Sequence, residues 1–213
     1  MIAALVMRTW LAMGLIVPVT ISGSSMAPTF QGPHRVFRCP NCQGEFSLGL
    51  DELQFGLEAA CPVCGTLGTY LSVGGDRSGD RLIIDRTAFQ WRSPRRWEVV
   101  VFRNPEAADQ LCVKRVLGLP GETVSFAHGE LYINGQLVPK PFQADYEVRY
   151  GDRPEHNSES AQTGGHPTAF WRLGPDEFFV GGDNAALSDD SRNWLAGPGL
   201  DAKLLIGKPL GVR

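Results

Sequence analysis

The sequence predicts a mostly β fold built of antiparallel strands, and three observations favour it. The 213-residue chain contains 25 glycines and 15 prolines, which disfavour long helices. Its apolar residues lie in short Val- and Ile-rich runs bounded by Gly and Pro, a pattern typical of strands. No alternation of strand and helix patterns is visible, which disfavours a parallel sheet. With 43% hydrophobic residues, the chain can form one domain or two small ones.

Each predicted strand ends at a turn sequence. Asn134-Gly135 is a two-residue hairpin turn, and residues 118–122 (GLPGE) give a second turn signal. Residues from about 140 to 174 are polar and irregular, so we expect a cap region without regular elements there. The strands are expected at residues 80–86, 97–102, 110–117, 130–133, 136–139 and 177–180.

The N-terminal segment, residues 1–21, is almost entirely apolar and has three interpretations. The one we favour is a membrane anchor or membrane-dipping segment, although a spanning helix needs about 20 apolar residues and Arg8 is costly at bilayer depth. The second is a cleaved secretory signal. The third is a buried first strand over residues 15–21. A cut near Ser22 would destroy the serine-rich corner that follows, which disfavours a cleaved signal.

The net charge disfavours one class of binding partner. The formal net charge is −3, whereas a protein that binds nucleic acid through its phosphates needs a basic field. We therefore expect no nucleic acid partner.

Four of the five cysteines form two C-x2-C pairs, separated by residues 43–60. Two such knuckles can complete a tetrahedral set of four thiolates for structural zinc, and two disulfides are the alternative. We interpret residues 31–75 as a small inserted module of the zinc-ribbon type, with His34 as a surface or turn residue. The fifth cysteine, Cys112, lies on a predicted strand as a small core residue. The expected zinc ligands are Cys39, Cys42, Cys61 and Cys64.

Ser25 lies in residues 24–29 (SSMAPT), a poor helix and a poor strand. Pro28 lacks a backbone donor and pushes Ala27 out of the α region, so the chain must turn or extend there. A serine on such an irregular corner can act as a nucleophile beside free backbone N–H groups. Taken alone, a serine-rich turn is more often only a turn.

A candidate base lies on a strand. Lys114 and Arg115 interrupt an apolar run, and strand alternation sends their side chains to opposite faces. If one face is buried, a lysine there loses charge stabilisation and becomes a usable amine base. A lysine facing water at a strand edge is the alternative. The four histidines lie in dissimilar loops, so a Ser-Lys pair is the remaining catalytic arrangement.

Four segments, in order, resemble type I signal peptidases. Residues 25–29 (SMAPT) are similar to the nucleophile segment, whose pattern is Ser-Met-x-Pro-Thr, and residues 79–84 (GDRLII) to the next strand. Residues 114–122 (KRVLGLPGE) resemble the lysine segment, and residues 182–192 the last one. The agreement extends over most of residues 8–213 apart from the insertion. The resemblance implies an antiparallel β peptidase core formed by residues 22–30 and 76–213.

The resemblance also implies roles for the residues. Ser25 would attack the scissile carbonyl and neutral Lys114 would take its proton, with no cofactor required. The oxyanion would be held by the backbone N–H of Ser25. Some relatives add a serine hydroxyl two positions before the nucleophile, where this chain has Gly23, so Ser24 or Ser22 is a candidate substitute. The orienting and supporting residues would be Ser188, Asp190, Arg192, Asp183 and Asn184.

The implied activity is removal of N-terminal signal peptides, after an Ala-x-Ala-like site, on the outer side of the cytoplasmic membrane. Signal peptides and membrane lipid are therefore the expected partners, and the partner of the inserted module stays open. A self-cleaving repressor with Ser-Lys chemistry is disfavoured, because no helix-turn-helix pattern precedes Ser25. A catalytically inactive scaffold acting as a zinc-ribbon interaction protein is the alternative function, which the presence of both Ser25 and Lys114 disfavours.

Overall fold

The structure is a computed structural model, and it confirms the mostly β prediction. It describes residues 14–54, 61–66, 71–127, 129–141, 170–185 and 187–211. The elements that lie wholly within these ranges are short strands, a short α-helix, α1 (Leu50–Gln54), and a 3-10 turn at Ala202–Leu204; residues 14–15 are also helical. The strands are β1 (Ile16–Thr20), β2 (His34–Arg38), β3 (Glu45–Gly49), β4 (Leu71–Ser72), β5 (Arg81–Asp85), β6 (Val99–Arg103), β7 (Leu111–Gly118), β8 (Thr123–Ala127), β9 (Glu130–Ile133), β10 (Gln136–Leu137), β11 (Phe170–Arg172), β12 (Glu177–Gly181), β13 (Leu200–Asp201) and β14 (Leu205–Gly211).

The strands form three antiparallel sheets within the described residues. The large sheet has the order β1-β5-β14-β6-β7-β12-β13, a second has the order β10-β9-β8-β11, and a small sheet has the order β3-β2-β4. The predicted strands appear as β5, β6, β7, β9, β10 and β12. The hairpin turn is also confirmed, because Asn134 and Gly135 both adopt positive φ, at 51° and 79°.

The strands β7 and β12 are inner strands of the large sheet, and residues 116–117 and 178–180 are buried on both faces. Along β12, Phe178 and Val180 pack into one apolar cluster, whereas Phe179 packs into another. On β7, Val116 and Leu117 divide between the same two clusters. This division follows from side-chain alternation in a strand, and it explains why both segments are almost continuously apolar.

The N-terminal strand β1 is the edge of the large sheet. It pairs with β5 from Ile16↔Asp85 to Thr20↔Arg81, so residues 16–20 form the strand of the third interpretation. It is less buried than expected, because Pro18 and Thr20 are exposed, and Pro18 suits an edge strand. Residues 1–13 of the favoured membrane segment lie outside the described residues. Among the residues that are described, no helix has the length and apolar character to cross a membrane.

The small sheet packs against two of the four paired cysteines. Its core contains Phe46 with the buried Cys39 and Cys61.

Two expectations of the sequence are wrong in detail. His34 is buried at the start of β2, with its ring Nδ1 2.9 Å from the carbonyl oxygen of Gly32. The irregular region also ends before residue 174, because β11 pairs with β8; residues 142–169 lie outside the described residues.

Phe179 offers a test of the core that joins the two larger sheets. It is fully buried, with ring centroids 5.9 Å from Phe126 and 5.3 Å from Trp171. We expect Phe179→Ala to lower the free energy of unfolding by about 3–5 kcal/mol, measured by urea denaturation. The matched control is Phe170→Ala, whose ring is 64% exposed and should cost less than about 0.5 kcal/mol. Equal losses for the two variants would contradict this account of the core.

Candidate active site

The segment around Ser25 is an irregular corner, as the sequence predicts. Ala27 donates its backbone N–H to the carbonyl of Ser24 (3.0 Å), which closes a turn around Ser25. Met26 is 1% exposed and anchors the turn in the protein, whereas Ser25 itself is half-buried. The carbonyl of Ser25 accepts the backbone N–H of Asn184 (3.0 Å), so the last predicted segment packs directly on the nucleophile segment.

The candidate base lies inside the protein. Lys114 pairs with Val100 of β6 and is 4% exposed, so the buried alternative is the one observed. Ser25 and Lys114 both line one cavity of about 460 Å³. Most of the remaining lining is apolar and comes from the segments around β1, β6 and β7: Val19, Ile21, Met26, Val101, Leu111 and Val113. The structure therefore brings the two predicted catalytic residues to the same apolar cavity.

The Lys114 amine is held by Ser188. Its Nζ donates to Ser188 Oγ (2.9 Å), and the Ser188 hydroxyl donates in turn to Asp190 Oδ2 (2.5 Å). Burial lowers the pKa of Lys114 below its usual value of 10.5, although the negative charge of Asp190 opposes this change. The amine therefore loses its proton more readily than a lysine in water.

Asp190 organises the loop after β12. Burial alone would raise the pKa of this carboxyl, but the hydrogen bonds and charge of Arg192, with donors from Ser188 and Gly182, hold it below its usual value. Arg192 binds both carboxylate oxygens, at 2.8 and 2.6 Å, and the backbone N–H of Gly182 donates to Oδ2 at 2.9 Å. The predicted carboxylate–guanidinium clamp is thus present, and it fixes the hydroxyl that holds the Lys114 amine.

A second clamp joins the nucleophile segment to β7. Asp183 accepts two hydrogen bonds from Arg115, at 2.7 and 2.6 Å, and a third from Thr29 Oγ1 at 2.5 Å. The Asp183 side chain is fully buried. Asp183 is among the predicted supporting residues, whereas Arg115 and Thr29 have no predicted role. Side-chain alternation along β7 could have indicated a role for Arg115, because it places Arg115 on the face opposite Lys114.

Gly182 allows the two halves of the site to approach closely. A Cβ at this position would lie 2.4 Å from the carbonyl oxygen of Ser25 and 2.3 Å from Ser188 Oγ. Both distances are far inside van der Waals contact, so only glycine fits between these two groups without displacement.

Residues of the inserted module also reach the site, which the sequence did not indicate. Asp51 accepts hydrogen bonds from the backbone N–H of Ser24 (2.9 Å) and from the Ser24 hydroxyl. Glu52 accepts one from the side-chain amide of Asn184 (3.1 Å), and burial, with the adjacent Asp51, raises the pKa of Glu52. The Ser24 hydroxyl is therefore bound to a carboxylate and is not free to serve as the expected oxyanion donor.

The four paired cysteines form one cluster. Their Sγ atoms all lie within 4.8 Å of one another, and the Cys39–Cys64 and Cys42–Cys61 distances are both 3.7 Å. Four sulfurs at about 2.3 Å from a zinc ion would lie about 3.8 Å apart in a tetrahedron, so the donor set fits zinc. Hydrogen bonds from Thr66 lower the pKa of Cys64 to about 6, whereas, against a backbone hydrogen bond of Gly44, burial and the neighbouring cysteines raise the pKa of Cys42 to about 12.

The chain is similar in sequence to known signal peptidases. Signal peptidase I V of Bacillus subtilis is 28% identical over 127 residues, covering 55% of this chain and 67% of that protein. Signal peptidase I of Pseudomonas aeruginosa is 31% identical over 142 residues, covering 60% of this chain and 50% of that protein. The chain therefore spans about half to two thirds of the length of these curated relatives. A crystal structure of a signal peptidase I from Enterococcus faecalis superposes with a TM-score of 0.39 and 25% identity, covering 55% of this chain and 97% of that chain.

The family match lies downstream of the insertion. The sequence model described as "Signal peptidase, peptidase S26" matches residues 76–210, which include Lys114, Ser188 and Asp190 but not Ser25. Because this range exceeds half of the 213 residues, the chain belongs to the signal peptidase family, peptidase S26.

Proposed function

We propose that this protein is a serine endopeptidase that cleaves signal peptides from exported preproteins, with Ser25 as nucleophile and Lys114 as general base. The observation that carries the proposal is the position of the Lys114 amine, which is desolvated and shares a cavity with Ser25. A lysine is almost never buried without a compensating role, and here no carboxylate lies in direct contact with its Nζ among the described ion pairs.

The hydrogen bonds around Lys114 support a defined proton path. Since the Ser188 hydroxyl proton goes to Asp190, Ser188 can only accept from the Lys114 amine. This leaves the lone pair of the neutral amine for another donor, and the Ser25 hydroxyl is the donor we assign. As Ser25 Oγ forms its bond to the scissile carbonyl carbon, its proton moves to Lys114 Nζ. The ammonium then donates that proton to the amine that leaves when the peptide bond breaks.

The backbone supplies the oxyanion donor in this proposal. Because the Ser24 hydroxyl is bound to Asp51, we assign the developing negative charge to the backbone N–H of Ser25. The carbonyl of Ser24 belongs to the same peptide unit as this N–H, and it accepts the backbone N–H of Ala27 (3.0 Å), which helps to fix the orientation of the unit.

The proposed substrates are preproteins with an Ala-x-Ala-like site, as the family resemblance implies. Several side chains that line the cavity beside Ser25 are apolar, among them Leu111, which is 45% exposed. We accordingly propose that the domain works at the cytoplasmic membrane, on its outer side.

We further propose that the four cysteines bind one structural zinc ion. When bound, zinc would cross-link the two knuckles of the small sheet and contribute to its folding, and no catalytic step passes through it. Two of its ligands, Cys39 and Cys61, are buried and form the core of this sheet together with Phe46.

Substitution of either catalytic residue tests the proposed mechanism. We expect Ser25→Ala and Lys114→Ala each to lower kcat for an Ala-x-Ala preprotein at least about a thousandfold, because each removes one partner of a cooperating pair. Purified protein in detergent, followed by gel analysis of the cleaved preprotein, gives the measurement. Matched controls are Ser72→Ala and Lys203→Ala at exposed positions, which should retain full activity. No cleavage by the unaltered protein would favour the inactive-scaffold function instead.

The pH dependence of cleavage should report the protonation of Lys114. Only the neutral amine accepts a proton, so kcat/KM should rise with pH as the amine deprotonates, with an inflection below 10.5. Because the Asp190 charge raises the pKa of Lys114, Asp190→Asn should move this inflection to lower pH. Asp76→Asn, at an exposed carboxylate bound to Arg35, should leave it in place. An inflection that does not move in Asp190→Asn would argue against Lys114 as the titrating base.

Metal content tests the cysteine cluster. We expect one zinc ion per chain by elemental analysis, lost in Cys39→Ser and retained in Cys112→Ser, since Cys112 lies outside the cluster. Intact-mass measurement showing two intramolecular disulfides in place of zinc would overturn this assignment.

A further inference from the structure

The inserted module is attached to the residue that precedes the nucleophile. Asp51, at the start of α1, accepts both the backbone N–H and the hydroxyl of Ser24. Ser24 is 2% exposed, so water does not compete for these donors. A carboxylate with two oxygens therefore fixes both the main chain and the side chain one residue before Ser25.

A second contact from the same helix holds the loop residue that binds the Ser25 carbonyl. Glu52 accepts the side-chain amide of Asn184 (3.1 Å), and the backbone N–H of Asn184 donates to the carbonyl of Ser25 (3.0 Å). The module thus binds the chain before the nucleophile and the loop that packs on its carbonyl. Two adjacent residues of one short helix contribute both contacts.

The interface between the module and the nucleophile segment is closely packed. A Cβ on Gly49 would lie 1.8 Å from Ser24 Oγ, and a Cβ on Gly32 would lie 2.7 Å from the carbonyl oxygen of Gly23. Neither position has room for a side chain, because the Ser24 side chain lies against Gly49 and the Gly23 backbone lies against Gly32. This is the packing of a permanent contact within the protein.

A single hairpin connects this interface to the cysteine cluster. The strands β2 and β3 pair over five positions, from His34↔Gly49 to Arg38↔Glu45. At one end, Cys39 and Cys42 lie in the connection between the strands, and at the other end Asp51 follows β3 after one residue. Five paired residues span about 17 Å. A small sheet of this kind is marginally stable without a cross-link, so the cluster stabilises the strands that carry Asp51.

We propose that Asp51 is a positioning residue for Ser25, and that the four-cysteine cluster acts on the peptidase site through the β2–β3 hairpin. The inference rests on the proposed peptidase function. The cluster takes no part in the chemistry. Its metal keeps the hairpin folded, the hairpin holds Asp51, and Asp51 holds Ser24, so that loss of the metal releases the nucleophile segment.

Exchange of the Ser24 amide hydrogen tests the link without any activity assay. We expect this amide, followed by NMR, to exchange at least tenfold faster in Asp51→Ala than in the unaltered protein, because its acceptor is lost. The milder Asp51→Asn keeps one acceptor oxygen and should give an intermediate rate. Asp76→Ala, which removes a carboxylate bound only to the exposed Arg35 in this region, is the matched control and should change nothing. The Val116 amide, bonded to the carbonyl of Glu98, must stay protected in every variant as a check on the core.

The changes in kcat should parallel the changes in exchange of the Ser24 amide. We expect kcat for Asp51→Ala to fall about tenfold to a hundredfold with KM within about twofold, because misplacement of a nucleophile affects the chemical step more than substrate binding. Removal of zinc with a chelator should accelerate Ser24 exchange and lower kcat in the unaltered protein, with recovery when zinc is added back. In Asp51→Ala the chelator should have little further effect, since the connection is already broken.

The outcomes separate this inference from the proposed function. Unchanged Ser24 exchange and unchanged kcat in both Asp51 variants, with cleavage intact, would overturn the inference and leave the peptidase standing. Exchange that depends on Asp51 and on zinc, in a protein that cleaves no preprotein, would support the structural link and count against the proposed function. A chelator effect of equal size in Asp51→Ala and in the unaltered protein would exclude Asp51 as the connection.

Discussion

The burial of one amine is the constraint on which the rest of the site depends. Lys114 projects from a central strand of the large sheet and is 4% exposed, so a positive charge there lacks solvation by water. Ser188 fixes the orientation of the amine through a hydroxyl that donates to Asp190. Arg192 balances the carboxylate charge. These contacts form a chain in which each polar group satisfies the next, as a buried network requires.

The strand that contains Lys114 also contains a residue that holds the segment around Ser25. Adjacent residues of β7 face opposite sides, so Arg115 points away from the cavity that Lys114 lines. Arg115 binds Asp183, which also accepts a hydrogen bond from the hydroxyl of Thr29. The same strand thus fixes Lys114 directly and the end of the Ser25 segment indirectly. Gly182 then lets the loop after β12 lie against Ser25 without a steric clash.

The sequence presents the cysteine module as an insertion, whereas the structure joins it to the catalytic domain through short hydrogen bonds. Asp51 binds Ser24 directly, and Glu52 binds Asn184 in the loop that contains Ser188. Because these two carboxylates belong to the inserted module, the segment around Ser25 contacts both the module and the domain that contains Ser188. An insertion of this kind can stabilise an active site without contributing a reacting group.

The sequence alone determined the mostly β fold, the serine corner, the lysine on an apolar strand and the two cysteine pairs, because each depends on neighbours within a few residues. Only the tertiary structure decided that Lys114 is buried, that Asp183 binds Arg115, and that Asp51 binds Ser24. Those partners lie 68 and 27 residues apart in the chain. The physical reason is that a hydrogen bond between distant segments leaves no spacing or periodicity in the sequence, since it depends on how the sheets bring those segments together.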